Sequence, residues 1–176
     1  MDVRNDIEEL SADGAALAVE ELADVLHACV LEGASVGFVL PFEREAALRF
    51  WRGLLPAFQS GARRLLVARR EGRVVGTVQL VLDMPPNGRH RADVAKMLIH
   101  PKARRLGLAR ALMEAAEALA RRHERSLLVL DTVQGNPAER LYLQLGFHVA
   151  GVVPGYARST QGVLEATTVM YKQLSP

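Results

Sequence analysis

Apolar side chains recur at helical spacing from Ser11 to Glu32, where Ala15, Ala16, Val19, Leu22, Ala23, Leu26 and Val30 line one face. Ser11 can cap the start and Gly33 can stop the end, so the pattern predicts one helix over this span. A second helical pattern follows Pro41. Its apolar face is Ala46, Ala47, Phe50, Leu54 and Leu55, it ends near Gly61, and the lone Trp51 within it reads as a packing residue. Beyond Gly61 the character changes. Arg64–Arg69 and Val74–Leu82 flank Glu71-Gly72, which predicts an antiparallel hairpin, and Pro85-Pro86-Asn87-Gly88 then forces a turn.

Val94 to His100 is a further β-rich run. A glycine-containing loop follows it, and then a helix with Leu108, Ala109, Leu112, Ala115, Ala116 and Leu119 on one face. Leu127-Leu128-Val129-Leu130 is apolar at consecutive positions, as expected of a strand covered on both faces. Joining the Val94 and Leu127 strands through that helix makes a βαβ crossover, which requires the two strands to be parallel within one sheet. Another helix opens at Asn136-Pro137-Ala138-Glu139, with Asn as cap, Pro as first helical residue and Glu three residues past the cap, and it ends at Gly146. Two β-rich segments, Phe147–Val153 and Leu164–Leu174, finish the chain around a turn at Pro154-Gly155-Tyr156. There is no repeat, linker or low-complexity segment, so the reading is a single α/β (α+β) domain over residues 1–176.

Composition narrows the function. With 176 residues and 49% hydrophobic content the chain can bury a substantial core, and 22 basic against 20 acidic residues leave a net charge of +2. The arginine pairs 63-64, 69-70, 104-105 and 121-122 are scattered over different elements, and aromatics make up only 5%. Nucleic acid is therefore not expected as a partner. A single cysteine, Cys29, excludes an intrachain disulfide framework and a multi-cysteine metal cage, and no metal is expected. No apolar run approaches the roughly 18 to 20 residues that span a bilayer, and the opening Met1–Glu9 is too acidic for a leader peptide. No membrane partner is expected, and the cytoplasm is the expected compartment.

Chemistry concentrates in Arg104-Arg105-Leu106-Gly107-Leu108-Ala109, between a predicted strand and the start of a predicted helix. Backbone N–H groups there lack intrahelical partners and face the positive end of the helix dipole, an arrangement that can hold a phosphate. Gly107 and Ala109 keep side chains clear of a bound pyrophosphate, while Arg104, Arg105 and Arg110 add cationic donors. Neither the glycine-lysine loop of nucleoside triphosphatases nor the three spaced glycines of a dinucleotide fold is present.

Two blocks carry a resemblance to a known family. Val94-Ala95-Lys96-Met97-Leu98-Ile99-His100-Pro101 leads into Arg104–Ala109, and Ala138-Glu139-Arg140-Leu141-Tyr142-Leu143-Gln144-Leu145-Gly146-Phe147 follows at the right separation. The sequence resembles the GNAT superfamily of acetyl-CoA-dependent N-acetyltransferases, and the likeness covers essentially the whole chain. It implies a transferase, an acyltransferase, with the order strand, two helices, three strands, helix, strand, helix, two strands. The implied sheet is mixed and mostly antiparallel, with a central parallel pair splayed to admit the cofactor and helices on both faces. A closer likeness, to acetyltransferases of the tabtoxin-resistance type, rests on Gly33–Phe38, Arg91–Met97, Leu130-Asp131-Thr132 and Pro154-Gly155-Tyr156. Its implication is a small primary amine as acceptor, of the amino-acid-like toxin or antibiotic kind.

The resemblance also implies roles. The pantetheine of acetyl-CoA would lie in the splay against the backbone of Leu98 and Ile99, and the turn Arg104, Arg105, Leu106, Gly107, Leu108, Ala109 and Arg110 would take its phosphates. A backbone N–H near Leu98 or Ile99 would polarise the thioester carbonyl. The acceptor ammonium must lose a proton before it can attack, and Asp131 and Asp93 are the leading carboxylates for that, with His90 and His100 behind them. Tyr142 stands at the position of the donor to the leaving thiolate. The family's Asn seven residues before that tyrosine is here Gly135, so Asn136, one residue late, serves either as a cofactor contact or only as a helix cap. Alternatives are a protein acetyltransferase acting on an N-terminus or lysine, and a CoA-binding regulatory domain without turnover. A homodimer is left open, since nothing in the pattern fixes the oligomeric state.

Overall fold

The computed structural model describes residues 6–175, so Met1–Asn5 of the acidic opening lie outside the described residues. Seven strands form one sheet: β1 (Asp6–Leu10), β2 (Arg63–Arg70), β3 (Arg73–Val81), β4 (Arg91–Ile99), β5 (Leu127–Val133), β6 (His148–Arg158) and β7 (Leu164–Gln173). Their order is β1-β2-β3-β4-β5-β7-β6, and every neighbouring pair is antiparallel except β4 with β5. Helices α1 (Ala12–Leu17), α2 (Val19–Leu31) and α3 (Arg44–Gln59) cover one face, while α4 (Leu108–Arg122) and α5 (Pro137–Gln144) cover the other. This is the mixed, mostly antiparallel sheet with a central parallel pair that the sequence led us to expect.

Each face has its own apolar core. Leu22, Leu26, Trp51, Leu65 and Val67 pack on the α1–α3 side. Leu112, Leu119, Leu80, Leu128 and Met170 pack on the α4–α5 side. Trp51 is fully buried, as its place on an amphipathic helix implied. The hairpin turn is as read: Glu71 (φ 51°) and Gly72 (φ +79°) both take the left-handed geometry that matches strand twist.

Two expectations change, and the opening strand that the resemblance implied is present as β1. The Ser11–Glu32 pattern is two helices, not one. Ser11 does cap the first, its Oγ accepting from the Gly14 N–H at 3.0 Å, but the backbone leaves helical geometry at Ala18 (ψ 3°), which buries both Ala15 and Val19 and leaves Leu17 in solvent. Strand β1 has little apolar alternation of its own, and it is held at the sheet edge by pairing with β2. Finally, Pro154-Gly155-Tyr156 is not the last turn. It is a bulge inside β6, where Gly155 (φ +59°) absorbs the register shift between Val153 and Ala157, and the chain reverses instead around Gly162 (φ +85°).

Candidate active site

The parallel pair is short. Arg91 pairs with Leu127, Ala92 with Leu128 and Asp93 with Val129, and there the ladder stops. Beyond it β4 stays on β3 and β5 stays on β7, so the edges Val94–Ile99 and Leu130–Val133 face one another across a fork with no pairing between them. Leu98 and Ile99 sit at the end of the β4 edge. The Ile99 carbonyl is already used, accepting from Cys29 Sγ at 3.2 Å and from Arg104 Nε at 3.3 Å.

Directly opposed residues in a sheet share a face, and so do residues two apart along a strand. Arg63, Val81, Asp93, Val129, Tyr171 and His148 form one cross-sheet row. One row further on lie Leu65, Gln79 and Ala95 on one side of the fork and Asp131 and Val169 on the other. Leu65 belongs to the core under α1–α3, so Asp93 and Asp131 both open to that face. Asp93 is the last residue of β4 to pair with β5, and Asp131 is the first same-face residue past the fork. Asp131 lies two residues inside the strand end, not at it, and Asp93 two residues inside the start of β4.

Their charges are felt. Burial raises the Asp93 carboxyl above the ordinary carboxylate range, with Arg91 at 4.0 Å opposing the shift and Asp131 adding to it. Tyr142, on the opposite face, is buried, its ring 5.8 Å from Phe147, and burial together with the Asp131 charge pushes its phenol up to about 12. His100 is bound into the loop, its Nδ1 accepting from the Lys102 N–H at 3.2 Å, and burial and Lys102 lower its pKa. His90 lies before β4 at the paired end, where its carbonyl receives the N–H groups of Ser126 and Leu127. Neither histidine stands in the rows of the two aspartates.

After β4 the chain turns through Pro101–Ala103 into the α4 N-terminus. Gly107 is the N-cap, with φ +76°, and Arg105 is also left-handed (φ 64°). Successive N–H groups in such turns point into one concavity. The amides of residues 105 through 110 make no backbone hydrogen bond among the described residues; the first is Ala111 to the Gly107 carbonyl. Arg105 is exposed at this turn, and Arg104, also exposed, has its Nε committed to the Ile99 carbonyl; neither has an ion-pair partner among the described residues. Arg110 instead turns toward Gln144 (3.4 Å) and Glu114 (3.9 Å). Leu106 is exposed, Leu108 buried, and Ala109 half-buried.

Asn136 caps α5 as expected, its Oδ1 accepting from the Glu139 N–H at 2.8 Å, while its Nδ2 donates to Thr132 Oγ1 at 3.1 Å. The Glu139 carboxylate accepts in turn from the Gly135 N–H. The α2–α3 connection crosses to the far half of the sheet, where the Leu40 N–H donates to the Thr160 carbonyl at 2.8 Å. That bond spans the two halves of the sheet that the fork separates.

A profile of the acetyltransferase (GNAT) family matches residues 27–147. The chain belongs to that family. Its members are acetyl-CoA-dependent N-acetyltransferases, and this GNAT chain is an acetyltransferase. It is 35% identical, over 115 residues, to an uncharacterized N-acetyltransferase from the hisH-hisA intergenic region of Azospirillum brasilense, covering 64% of this chain and 67% of that one. Among solved structures it is similar in fold to yncA of Salmonella typhimurium, solved with its cofactor acetyl-CoA (22% identity, 98% and 95% coverage, TM-score 0.77). It is also similar in fold to a ribosomal-protein-alanine N-acetyltransferase of Brucella melitensis (22% identity, 96% and 99% coverage, TM-score 0.75).

Sequence reasoning missed Lys96. It is a lysine within the otherwise apolar run Val94–Ile99, and that interruption was the available signal. The residue sits in a β-bulge with φ 50°, and its Nζ lies 5.5 Å from the Phe50 ring centroid on the α3 side. Burial, and then the Arg63 charge, lower its ammonium pKa against the pull of Asp131.

Proposed function

We propose that the chain, as one domain over residues 1–176, moves an acetyl group from acetyl-CoA to the primary amine of a small, amino-acid-like molecule by direct attack in a ternary complex. The observation that carries this reading is the continuity of one path. The turn beside Arg105, with six N–H groups that lack a backbone partner, follows the end of β4, next to a fork with two open strand edges, and Asp93 and Asp131 stand at the fork on one face. The loop is suited to a pyrophosphate and the β4 edge to the amide-rich pantetheine. Bound there, acetyl-CoA supplies a thioester carbonyl. The chain's own groups then divide the work by face. From the α1–α3 side Asp131, assisted by Asp93, holds the acceptor ammonium and takes its proton directly or through a water. A backbone N–H near Leu98 or Ile99 polarises the carbonyl. From the α4–α5 side Tyr142 donates a hydrogen bond to the departing sulfur. A phenol near 12 cannot readily surrender its proton to a thiolate whose own thiol titrates about 3 units lower, so hydrogen bonding is the role its environment favours.

Asn136 keeps its side chain in the α5 cap and Thr132, so any contribution to cofactor binding comes through the position of that helix. No helix among the described residues is long and apolar enough to cross a membrane, and the free buried Cys29 suits a reducing compartment, so we place the enzyme in the cytoplasm. The fold is shared with an enzyme named for a ribosomal protein, so fold alone does not choose the acceptor. Thiol release from acetyl-CoA in the presence of amines, amino acids or lysine- and amine-terminated peptides decides it: turnover with small amines only is expected, and turnover confined to peptides would replace this reading.

A further inference from the structure

The face of the fork that carries Asp93 and Asp131 also carries cations. Arg63 begins the row of Asp93, and Lys96 is turned onto the same face by the bulge at which two residues of β4, Lys96 and Met97, oppose the single Val78 of β3. The bulge is a built feature: a non-glycine residue holds φ 50°, and the Lys96 carbonyl is fixed by the Thr77 hydroxyl at 2.8 Å. It brings the Lys96 ammonium over the Phe50 ring of α3, 5.5 Å from its centroid. Among the described residues neither Lys96 nor Arg63 makes an ion pair, although 13 such pairs form elsewhere in the molecule. Between them lies Gln79, fully buried, one row from Arg63 and directly opposite Ala95. Its Oε1 accepts from Arg63 Nη1 at 2.9 Å, and its Nε2 has no partner. A buried amide donor left open costs stability, and so does a half-buried cation without a counter-ion. An oxyanion that entered here would meet a cation and an amide donor that both lack an anionic or accepting partner.

The charges on this face choose between kinds of acceptor. Arg91, two residues before Asp93 on β4 and so on the same face, lies 4.0 Å from its carboxylate, and the strands of this face carry Arg63, Lys96 and Arg91 with Asp93 and Asp131. An acceptor that brought only an ammonium would add a fourth cation. One that brought an ammonium and a carboxylate together would leave the balance unchanged and give each pole an opposite neighbour.

Resting on the acetyltransferase reading above, we propose that Lys96, with Arg63 and Gln79 behind it, binds a carboxylate of the acceptor, so that the substrate is a zwitterion of the amino-acid class with its ammonium at Asp131 and Asp93. Lys96 is then a specificity-determining residue. It sets which amines are accepted and leaves the proton transfer to the carboxylates across the fork.

The test uses the full chain with acetyl-CoA and measures thiol release with the common amino acids, their α-carboxamides and the amines left by removing the carboxylate. The best amino acid should exceed its own amide and its decarboxylated amine by tenfold or more in kcat/KM. Lys96→Gln should shrink that acid-to-amide ratio at least tenfold, mainly through KM, and Lys96→Arg should restore part of it. Calorimetric binding of acetyl-CoA and matched melting curves show that each variant is folded, and Arg63→Gln, on a different strand, should move the ratio in the same direction. An unchanged ratio in folded Lys96→Gln overturns the proposal, as does a parent enzyme that prefers amides or simple amines, an outcome that leaves the acetyltransferase reading standing. Thiol release with no member of the panel overturns both this proposal and the small-amine acceptor proposed above.

Discussion

Tyr142 and Asp131 approach the fork from opposite faces, and a single atom changed in each separates their roles. Tyr142→Phe removes one oxygen and keeps the ring against Phe147. It should lower kcat by roughly 10²-fold, within the usual range for a donor acting on the reacting group, while acetyl-CoA affinity changes little. Because burial and Asp131 hold the phenol near 12, no alkaline loss of activity from its ionisation is expected below that region. Rates equal to the parent across the pH range would make Tyr142 a packing residue. Asp131→Asn keeps shape and removes charge, so kcat/KM for the best amine should fall by about 10²-fold or more with coenzyme binding nearly intact. Asp93→Asn should act in the same direction more weakly, since its carboxyl, pushed up by burial and by Asp131, holds its charge less readily. If Asp131→Asn kept full kcat/KM in a protein of unchanged melting curve, the amine would have to lie elsewhere along the fork.

At the scale of an element, the turn into α4 combines an anion-binding geometry with two left-handed residues, and only one of them is glycine. A Cβ at Gly107 meets nothing within 4 Å, so the cost of Gly107→Ala is the backbone's alone: φ +76° for a residue with a side chain, about 1 kcal/mol. Gly107→Glu carries the same strain and adds a negative charge where phosphates are proposed to sit. Calorimetry should therefore show acetyl-CoA affinity lower in Gly107→Glu than in Gly107→Ala by tenfold or more, with the gap narrowing as salt is raised. Equal affinities in the two folded variants would move the phosphates away from this turn.

Over the whole molecule, the fork leaves the two halves of the sheet joined by three paired positions, by the bonds to the His90 carbonyl beside them, by the covering helices and by the Leu40–Thr160 bond. A ligand lying between the open edges would tie the halves together. Acetyl-CoA at about 100 times its Kd should stabilise the fold by about 2.7 kcal/mol, which for a chain of this size raises Tm by roughly 5 to 10 °C. Hydrogen exchange locates the effect: amides along Val94–Ile99 and Leu130–Val133 that are open in the free protein should slow on binding. A raised Tm with exchange unchanged along both edges would place the ligand outside the fork.

Periodicity sufficed for most elements because each buries one face, and burial writes itself into the spacing of apolar residues. The α4 stripe, the β5 run and the Asn136-Pro137 start of α5 were legible for that reason, as was the Arg104–Ala109 turn, whose glycine and arginines sit at a strand-to-helix junction. Features decided by contact with distant segments were not legible. β1 is a strand because β2 offers it an edge, the first helix breaks at Ala18, where Ala15 and Val19 are both buried, and Pro154–Tyr156 stays in β6 because Gly155 lets the strand bulge against β7. The site divides in the same way. The residue types and the order of its motifs were local properties of the chain. That Asp93 closes the ladder, that Asp131 opens beyond it on the same face, and that a bulge turns Lys96 to meet them depend on strand register, which pairs residues far apart in sequence and exists only once the sheet has formed.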